Sequence, residues 1–248
     1  MRPSIRRSVR LLSPAVGRGL IPAITLKTNL ICYFEFETIG GTTADSHTGL
    51  VANQEGTVTG VTGVVGQAME ATAPGSDFIK IETNGVIDPL FNYSSGITVA
   101  YWVRFVGAIP TTFYEPIEQF VNTFPEFRCV IDGAGSQLFG FNINDALGVG
   151  QQVNATTFGV PAPDTWYFVA HTMDATALKI SVNAGVQDST PVSVGPRAAT
   201  DSHLFMGSHF FGTATMRLDQ VGIWGRALTA SEITSLYNGG AGRSYASL

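Results

Sequence analysis

The chain is poor in charge: only 13% of its 248 residues are Asp, Glu, Lys or Arg, against 44% hydrophobic. A sizeable core is therefore available, and the surface must rely on Ser, Thr, Asn and Gly. Its two cysteines, Cys32 and Cys129, are too few for a disulfide framework. Both stand in apolar, strand-like stretches (LICYFEF and EFRCVI), so buried free thiols are expected, with a single disulfide as the alternative. No apolar run approaches the roughly 20 residues that a membrane-spanning helix needs. No ten-residue helical pattern occurs until the last thirty residues, which excludes a parallel βαβ architecture. There is no tandem repeat at a fixed period.

Acidic residues are missing altogether from one end. Residues 1–27 hold Arg2, Arg6, Arg7, Arg10, Arg18 and Lys27 and no acid, a charge of +6, whereas residues 28–248 carry −11. The split marks a basic N-terminal arm (1–27) on an acidic domain (28–248). Arg- and Ser-rich, acid-free composition is that of an organellar transit peptide. A secretory signal is a poor fit, because Pro14 and Arg18 break any apolar segment, and Arg6–Arg7 lack the apolar stretch of a twin-arginine export signal. With Met1 retained, the favoured expectation is an arm ordered by a neighbouring subunit. Phosphate neutralisation is open to such an arm, but no aromatic residue is interleaved for base stacking, which argues against nucleic acid.

What the chain does have is period two, with 28 Gly and 12 Pro to supply turns. Segments 29–36, 66–72, 77–82, 96–106, 126–132, 136–143, 165–174, 176–185, 202–210 and 214–224 read as strands. In the clearest, GITVAYWVRFV, Ile97, Val99, Tyr101, Val103 and Phe105 share one face, and Thr98, Ala100, Trp102 and Arg104 the other. The pairs 126–132/136–143 and 165–174/176–185 read as hairpins. The fold class that follows is all-β: a two-sheet antiparallel jelly-roll sandwich with one short C-terminal capping helix. Thr229 is the expected N-cap of that helix, with Glu232 completing a capping box and Leu228 and Ile233 a hydrophobic staple. Ile233, Leu236 and Tyr237 form its apolar stripe, and Gly239–Gly240 supplies the stop. Its expected task is to cover an end or edge of a sheet.

Five segments together resemble a known family. LDQVGIWGRALTASEITSLYNGG resembles the C-terminal signature of the concanavalin A-like, laminin-G/pentraxin-like jelly rolls. NLICYFEFETIGGTTADSHTG resembles their opening strand and Asp-containing loop, and GVVGQAMEA the strand that follows. ITVAYWVRF and TWYFVAHTMDATALKISVNAG resemble their central strand and hairpin. The resemblance covers about residues 28–241 and implies two curved antiparallel sheets with ligand sites in loops or on the concave face. It implies no single activity, since lectins, adhesion modules, glycan hydrolases and virion proteins share the fold.

The E-x-D-x-x-E strand motif of the fold's glucanases is missing. Glu115 and Glu118, spaced i, i+3, would be split across the faces of a regular strand, and Glu35 and Glu37, about 6–7 Å apart on one face, read as solvated structural residues. His47, His171, His203 and His209 have no nucleophile in a recognisable context. His203 and His209 would lie about 20 Å apart on a regular strand, too far for one metal. Calcium is the family-typical cofactor, and the resemblance makes Asp45 a candidate ligand. Asp219, beside Val221 and Ile223 on a buried face, is the other; capping of turn N–H groups is the competing role for both. Phe113, Tyr114, Phe210 and Phe211 are candidate platforms for a glycan, or else core plugs or subunit contacts.

The leading expectation is a non-enzymatic structural or interaction protein of a bacteriophage virion, a capsid decoration or tail-associated component. Arg2, Arg6, Arg7, Arg10 and Arg18 of the arm would dock on acidic or carbonyl-rich capsid or tail subunits. The alternative is an extracellular carbohydrate-binding lectin module, calcium-dependent or not. A glycan hydrolase ranks last, and no membrane partner is expected.

Overall fold

The computed structural model describes residues 25–73, 75–82, 96–121, 124–132, 135–144, 148–192, 203–207 and 214–248. They form two eight-stranded sheets, and every strand pair in them is antiparallel. Sheet A runs β14 (Asp188–Pro191), β13 (Ala177–Val182), β12 (Tyr167–Met173), β7 (Ile97–Val106), β16 (Thr215–Trp224), β5 (Gln67–Ala71), β4 (Val58–Thr62). Its eighth strand, β1 (Leu30–Phe34), pairs with the second half of β16, beyond the stretch that pairs with β5. Sheet B runs β11 (Gly150–Asn154), β10 (Leu138–Asn144), β9 (Phe124–Asp132), β8 (Tyr114–Val121), β15 (His203–Met206), β6 (Phe78–Glu82), β3 (Val51–Glu55), β2 (Thr42–Ala44). The expected jelly-roll sandwich is thus present, with both expected hairpins in place as β9–β10 and β12–β13.

The alternation in β7 decides how the layers meet. Val99, Tyr101, Val103 and Phe105 point into the space between the sheets, where Phe105 meets Tyr114 and Phe139 of sheet B at ring-centre distances of 5.7 and 6.5 Å. Both thiols, Cys32 and Cys129, lie free and fully buried in this core. A short polar chain crosses it: the Tyr101 hydroxyl is 3.0 Å from His171 Nε2 and also bonds the Cys129 thiol. Burial pushes both thiols up, which keeps them protonated and inert.

On its other side β7 offers Ala100 and Trp102, which join Phe168, Ala170, Trp224 and Tyr33 in a second cluster outside the sandwich. Helix α1 (Ala230–Tyr237) lies on it through Ile233 and Leu236. The helix therefore covers the outer face of sheet A rather than the end or edge expected from the sequence. The reason is the row of large aromatics there, whose apolar area would otherwise meet water. The capping box is formed, Glu232 N–H donating to Thr229 Oγ1 and Thr229 N–H to Glu232 Oε2 at 2.8 Å. Leu228 and Ile233 are buried in one cluster, as a staple requires. Asn238 ends the helix in the left-handed conformation (φ 50°), one residue ahead of the expected glycines.

Six strands escape a reading by alternation: β2, β3, β4, β8, β11 and β14. Five are short, and β3 and β11 each bury a single side chain, Ala52 and Val153, in the core. The sixth, β8, carries Pro116 in mid-sheet, which a regular central strand rejects; a bulge between Tyr114 and Ile117 accommodates it.

Candidate functional site

The outer face of sheet A is closed. Besides α1, the chain's first described residues are fastened there: Trp224 Nε1 donates to the Leu26 carbonyl at 2.6 Å and Arg226 Nε to the Thr28 carbonyl at 2.9 Å. Lys27 Nζ stands 3.9 Å from the centre of the Tyr245 ring. Leu26 and Lys27, which composition assigns to the arm, thus pack on the domain.

The outer face of sheet B carries no helix among the described residues, and its chemistry is different. Because directly paired residues of antiparallel strands share a face, the register aligns one row across seven strands: Asn53, Lys80, Phe205, Glu118, Arg128, Asn142 and Gln152. The bulge at Pro116 adds a further carboxylate. An extra residue in a strand shifts the alternation by one, so Glu115 and Glu118 both lie on this face rather than on opposite ones as their spacing suggests. Arg128 Nη1 donates to Glu115 Oε1 at 3.1 Å, and Glu118 stands directly opposite Arg128 on the neighbouring strand. Both carboxylates are almost wholly buried. The Arg128 guanidinium also stands over the Phe113 ring, its Cζ 5.1 Å from the ring centre.

Beside Arg128 the sheet opens into a cleft of about 150 Å³, lined by Asn142, Asn144, Gly150, Gln151 and Gln152 together with Arg128 itself. Two polar atoms there, the donor Arg128 Nε and the acceptor Asn142 Oδ1, are buried without a hydrogen-bond partner. They sit on paired residues. An orphaned donor and an orphaned acceptor on paired residues suit a hydroxyl, which accepts from one and donates to the other. Further along the face, Gln152 Nε2 donates to Asn154 Oδ1 at 2.6 Å, and Asn154 Nδ2 to Asp132 Oδ2 at 3.4 Å. Gly140 is needed between them, since a Cβ there would stand 2.5 Å from Asn154 Oδ1 and 2.9 Å from Val130.

The residues singled out by sequence fall in several places. Phe113 belongs to this face. Tyr114, its neighbour, is a correction: it points into the core with no exposure and donates to the Ala214 carbonyl, so it offers a glycan nothing. Phe210, Phe211 and His209 lie outside the described residues, as do Arg2, Arg6, Arg7, Arg10 and Arg18. Asp45 is a turn clasp: Oδ1 accepts from the backbone of Tyr33, His47 and Thr48, and Oδ2 from Leu50 N–H and the Thr48 hydroxyl. Strand alternation places Asp219 beside Val221 and Ile223, but a bulge at Gln220 (φ 49°) turns it to the outer face of sheet A, opposite Trp102. There it accepts from Val64 and Val65 N–H at 2.6 and 2.9 Å. Burial pushes its carboxyl up to about 7, against the pull of those N–H groups.

With their lone pairs so occupied, Asp45 and Asp219 do not fit a calcium shell, and among the described residues no three His, Cys, Asp or Glu side chains gather as metal ligands. Glu35 and Glu37 flank Phe36, whose φ of 58° breaks the strand; Glu35 accepts from the Ser46 hydroxyl and Tyr245 N–H, and Glu37 from Gln67 N–H. His47 bonds the Tyr245 hydroxyl, and His171 is enclosed in the core. His203 opens β15, between Glu82 and Phe120 of the neighbouring strands.

Comparison with known proteins agrees with this architecture. A laminin-G family model, described as the concanavalin A-like lectin/glucanases superfamily, matches residues 75–234. That is more than half of the chain, and the chain belongs to this family. No curated protein matches its sequence. Among solved structures, the binding domain of a paraclostridial mosquitocidal protein is similar with a TM-score of 0.70 at 16% identity, over 85% of this chain and 52% of that one. The receptor-binding domain of the botulinum neurotoxin C/D mosaic serotype gives 0.65 at 15%, over 85% and 51%. The ligand-binding domain of botulinum neurotoxin serotype D, solved with N-acetylneuraminic acid, gives 0.64 at 14%, over 85% and 51%. The chain thus spans about half the length of these binding domains, and the likeness is one of fold.

Proposed function

We propose that the chain is a carbohydrate-binding module without catalytic activity, and that it holds its glycan on the outer face of sheet B. The observation that carries this reading is the cleft beside Arg128, where the two residues that hold a buried unpartnered donor and a buried unpartnered acceptor line the same small volume. Asn142, Asn144, Gln151 and Gln152 supply further amide groups of the kind that recognise sugar hydroxyls, and Phe113 an apolar ring against Arg128. Support also comes from the family and from similar binding domains, one of which holds a sialic acid. Asp45 and Asp219 hold no calcium in this reading, because both are committed to hydrogen-bond donors of the chain.

The test is a glycan panel probed with the full chain and with Asn142→Ala and Gln152→Ala, each checked for unchanged thermal unfolding. The expected result is binding that persists in a chelator and falls at least tenfold in both variants. A chain that binds no glycan, or variants that bind as well as the parent, would overturn the reading. Assembly on a virion through the basic arm is a separate proposal, supported by the charge split at residue 27. Loss of particle incorporation on removing residues 1–24, with the domain still folded, is its test.

A further inference from the structure

The charges on this face restrict which glycans it can take. Arg128 is the cation that lines the cleft, and it is already engaged: Glu115 Oε1 lies 3.1 Å from Nη1, and Glu118 faces it across the β8–β9 ladder. The other cation of the row, Lys80, is 2.6 Å from Glu82. Asp132, tied to the cleft's rim through Asn154 and Gln152, adds a further carboxylate. Among the described residues, Glu115 and Glu118 thus stand against Arg128 and Asp132 lies beyond the rim, while the other groups that line the cleft directly are neutral amides, Ile143 and glycine. A second anion brought to Arg128 would have to compete with Glu115 for the guanidinium and would lie beside Glu118 in partly buried surroundings, where charges are weakly screened.

From this we infer that the cleft selects neutral glycans and rejects those carrying a carboxylate or sulfate. The inference rests on the glycan-binding reading and sharpens it. It also separates this chain from the structurally similar toxin domain solved with N-acetylneuraminic acid, whose sugar carries a carboxylate. Hydroxyls are both donor and acceptor and satisfy Arg128 Nε and Asn142 Oδ1 without changing the charge of the site.

The experiment measures affinity of the full chain for matched pairs of oligosaccharides, each neutral core with and without a terminal sialic acid, at low and at high salt. Neutral members are expected to bind at least tenfold tighter, with the gap narrowing only slightly as salt rises, since partly buried charges are weakly screened. Glu115→Gln removes one negative charge beside Arg128 with little change in shape and should narrow the gap at least threefold. Asp132→Asn, at a less buried position, should narrow it as well and serves if Glu115→Gln fails to fold. Equal or tighter binding of the sialylated members would overturn the inference while leaving the glycan-binding reading intact. Binding of neither member of any pair would remove the reading itself, and the inference with it.

Discussion

Two groups buried on opposite faces of sheet A couple folding to pH in opposite directions. His171, enclosed in the core, has its imidazole drawn by burial from 6.5 down to about 3. Asp219, on the outer face, has its carboxyl pushed by burial from 3.8 up to about 7. Between pH 6.5 and 3 the unfolded chain protonates His171 and the folded chain does not, so acid removes stability. Between pH 7 and 3.8 the folded chain keeps the Asp219 proton that the unfolded chain has released, so acid adds stability. Each group alone gives a slope of about 1.4 kcal/mol per pH unit where its two states differ by a full proton. From about pH 6.5 to 4.5 the two slopes nearly cancel, and the unfolding free energy of the native chain should be almost flat. Asp219→Asn removes one slope and should lose about 2 kcal/mol over that interval; His171→Leu removes the other and should gain about as much. Both substitutions also carry a constant cost. The amide introduced by Asp219→Asn meets the Gln220 amide, which in the native chain donates to Asp219 Oδ1, and His171→Leu deprives Tyr101 of its contact with Nε2. The slope, rather than the height, is therefore the readout, taken from urea unfolding at half-unit pH steps. Curves for Asp219→Asn and the native chain that run parallel over the interval from about pH 6.5 to 4.5 would refute the reasoning.

Glu232→Ala removes the capping box and the two-pronged pair with Arg226, whose contacts are 3.0 and 2.6 Å, and should cost about 2–3 kcal/mol by denaturant unfolding. Because these partners hold the Glu232 carboxyl down at about 2, with Arg226 the chief cause, its contribution is complete above pH 4.5 and is lost as pH falls toward 2. Gly222→Ala would place a Cβ 2.4 Å from the Trp224 ring and 2.9 Å from Tyr33, so it should destabilise by about 1–3 kcal/mol and shift the tryptophan emission as the Trp224 ring gives way. A chain starting at Asn29 lacks the carbonyls that receive Trp224 Nε1 and Arg226 Nε and should be about 1–3 kcal/mol less stable than one starting at Thr25; equal midpoints would show that the clasp contributes nothing.

Most of the architecture was legible because its signals are local. The inward residues of β7, the Thr229–Glu232 box and the Leu228–Ile233 staple each lie within a short stretch of chain and need no partner to be recognised. The site was not legible, for two physical reasons. Its row is assembled from seven strands, and Asn142 or Gln152 alone is an ordinary polar strand residue. The other reason is that strand parity fails wherever a residue is inserted. The bulge at Pro116 brought Glu115 to the side of Glu118, and the one at Gln220 sent Asp219 away from Val221 and Ile223. Pro116 was a usable signal, since a proline inside a paired strand calls for a bulge. Gln220 was not, because nothing in its side chain favours a positive φ.

The two outer faces of the sandwich differ in what covers them. Sheet A covers its outward aromatics with α1, with Leu26 and with the C-terminal residues around Tyr245, so its outer surface is committed to holding the fold together. Sheet B, having no such cover among the described residues, keeps amides, paired charges and the unsatisfied Arg128 Nε and Asn142 Oδ1 at its outer face. Residue 25 is fastened on the sheet A side through its neighbours Leu26 and Thr28, and the cleft beside Arg128 is on the other. The chain that precedes residue 25 is thus joined to the domain on the face opposite the cleft. On the proposed function, attachment through one end and recognition on the opposite face would make no competing demands on the same residues, as a tethered binding module requires.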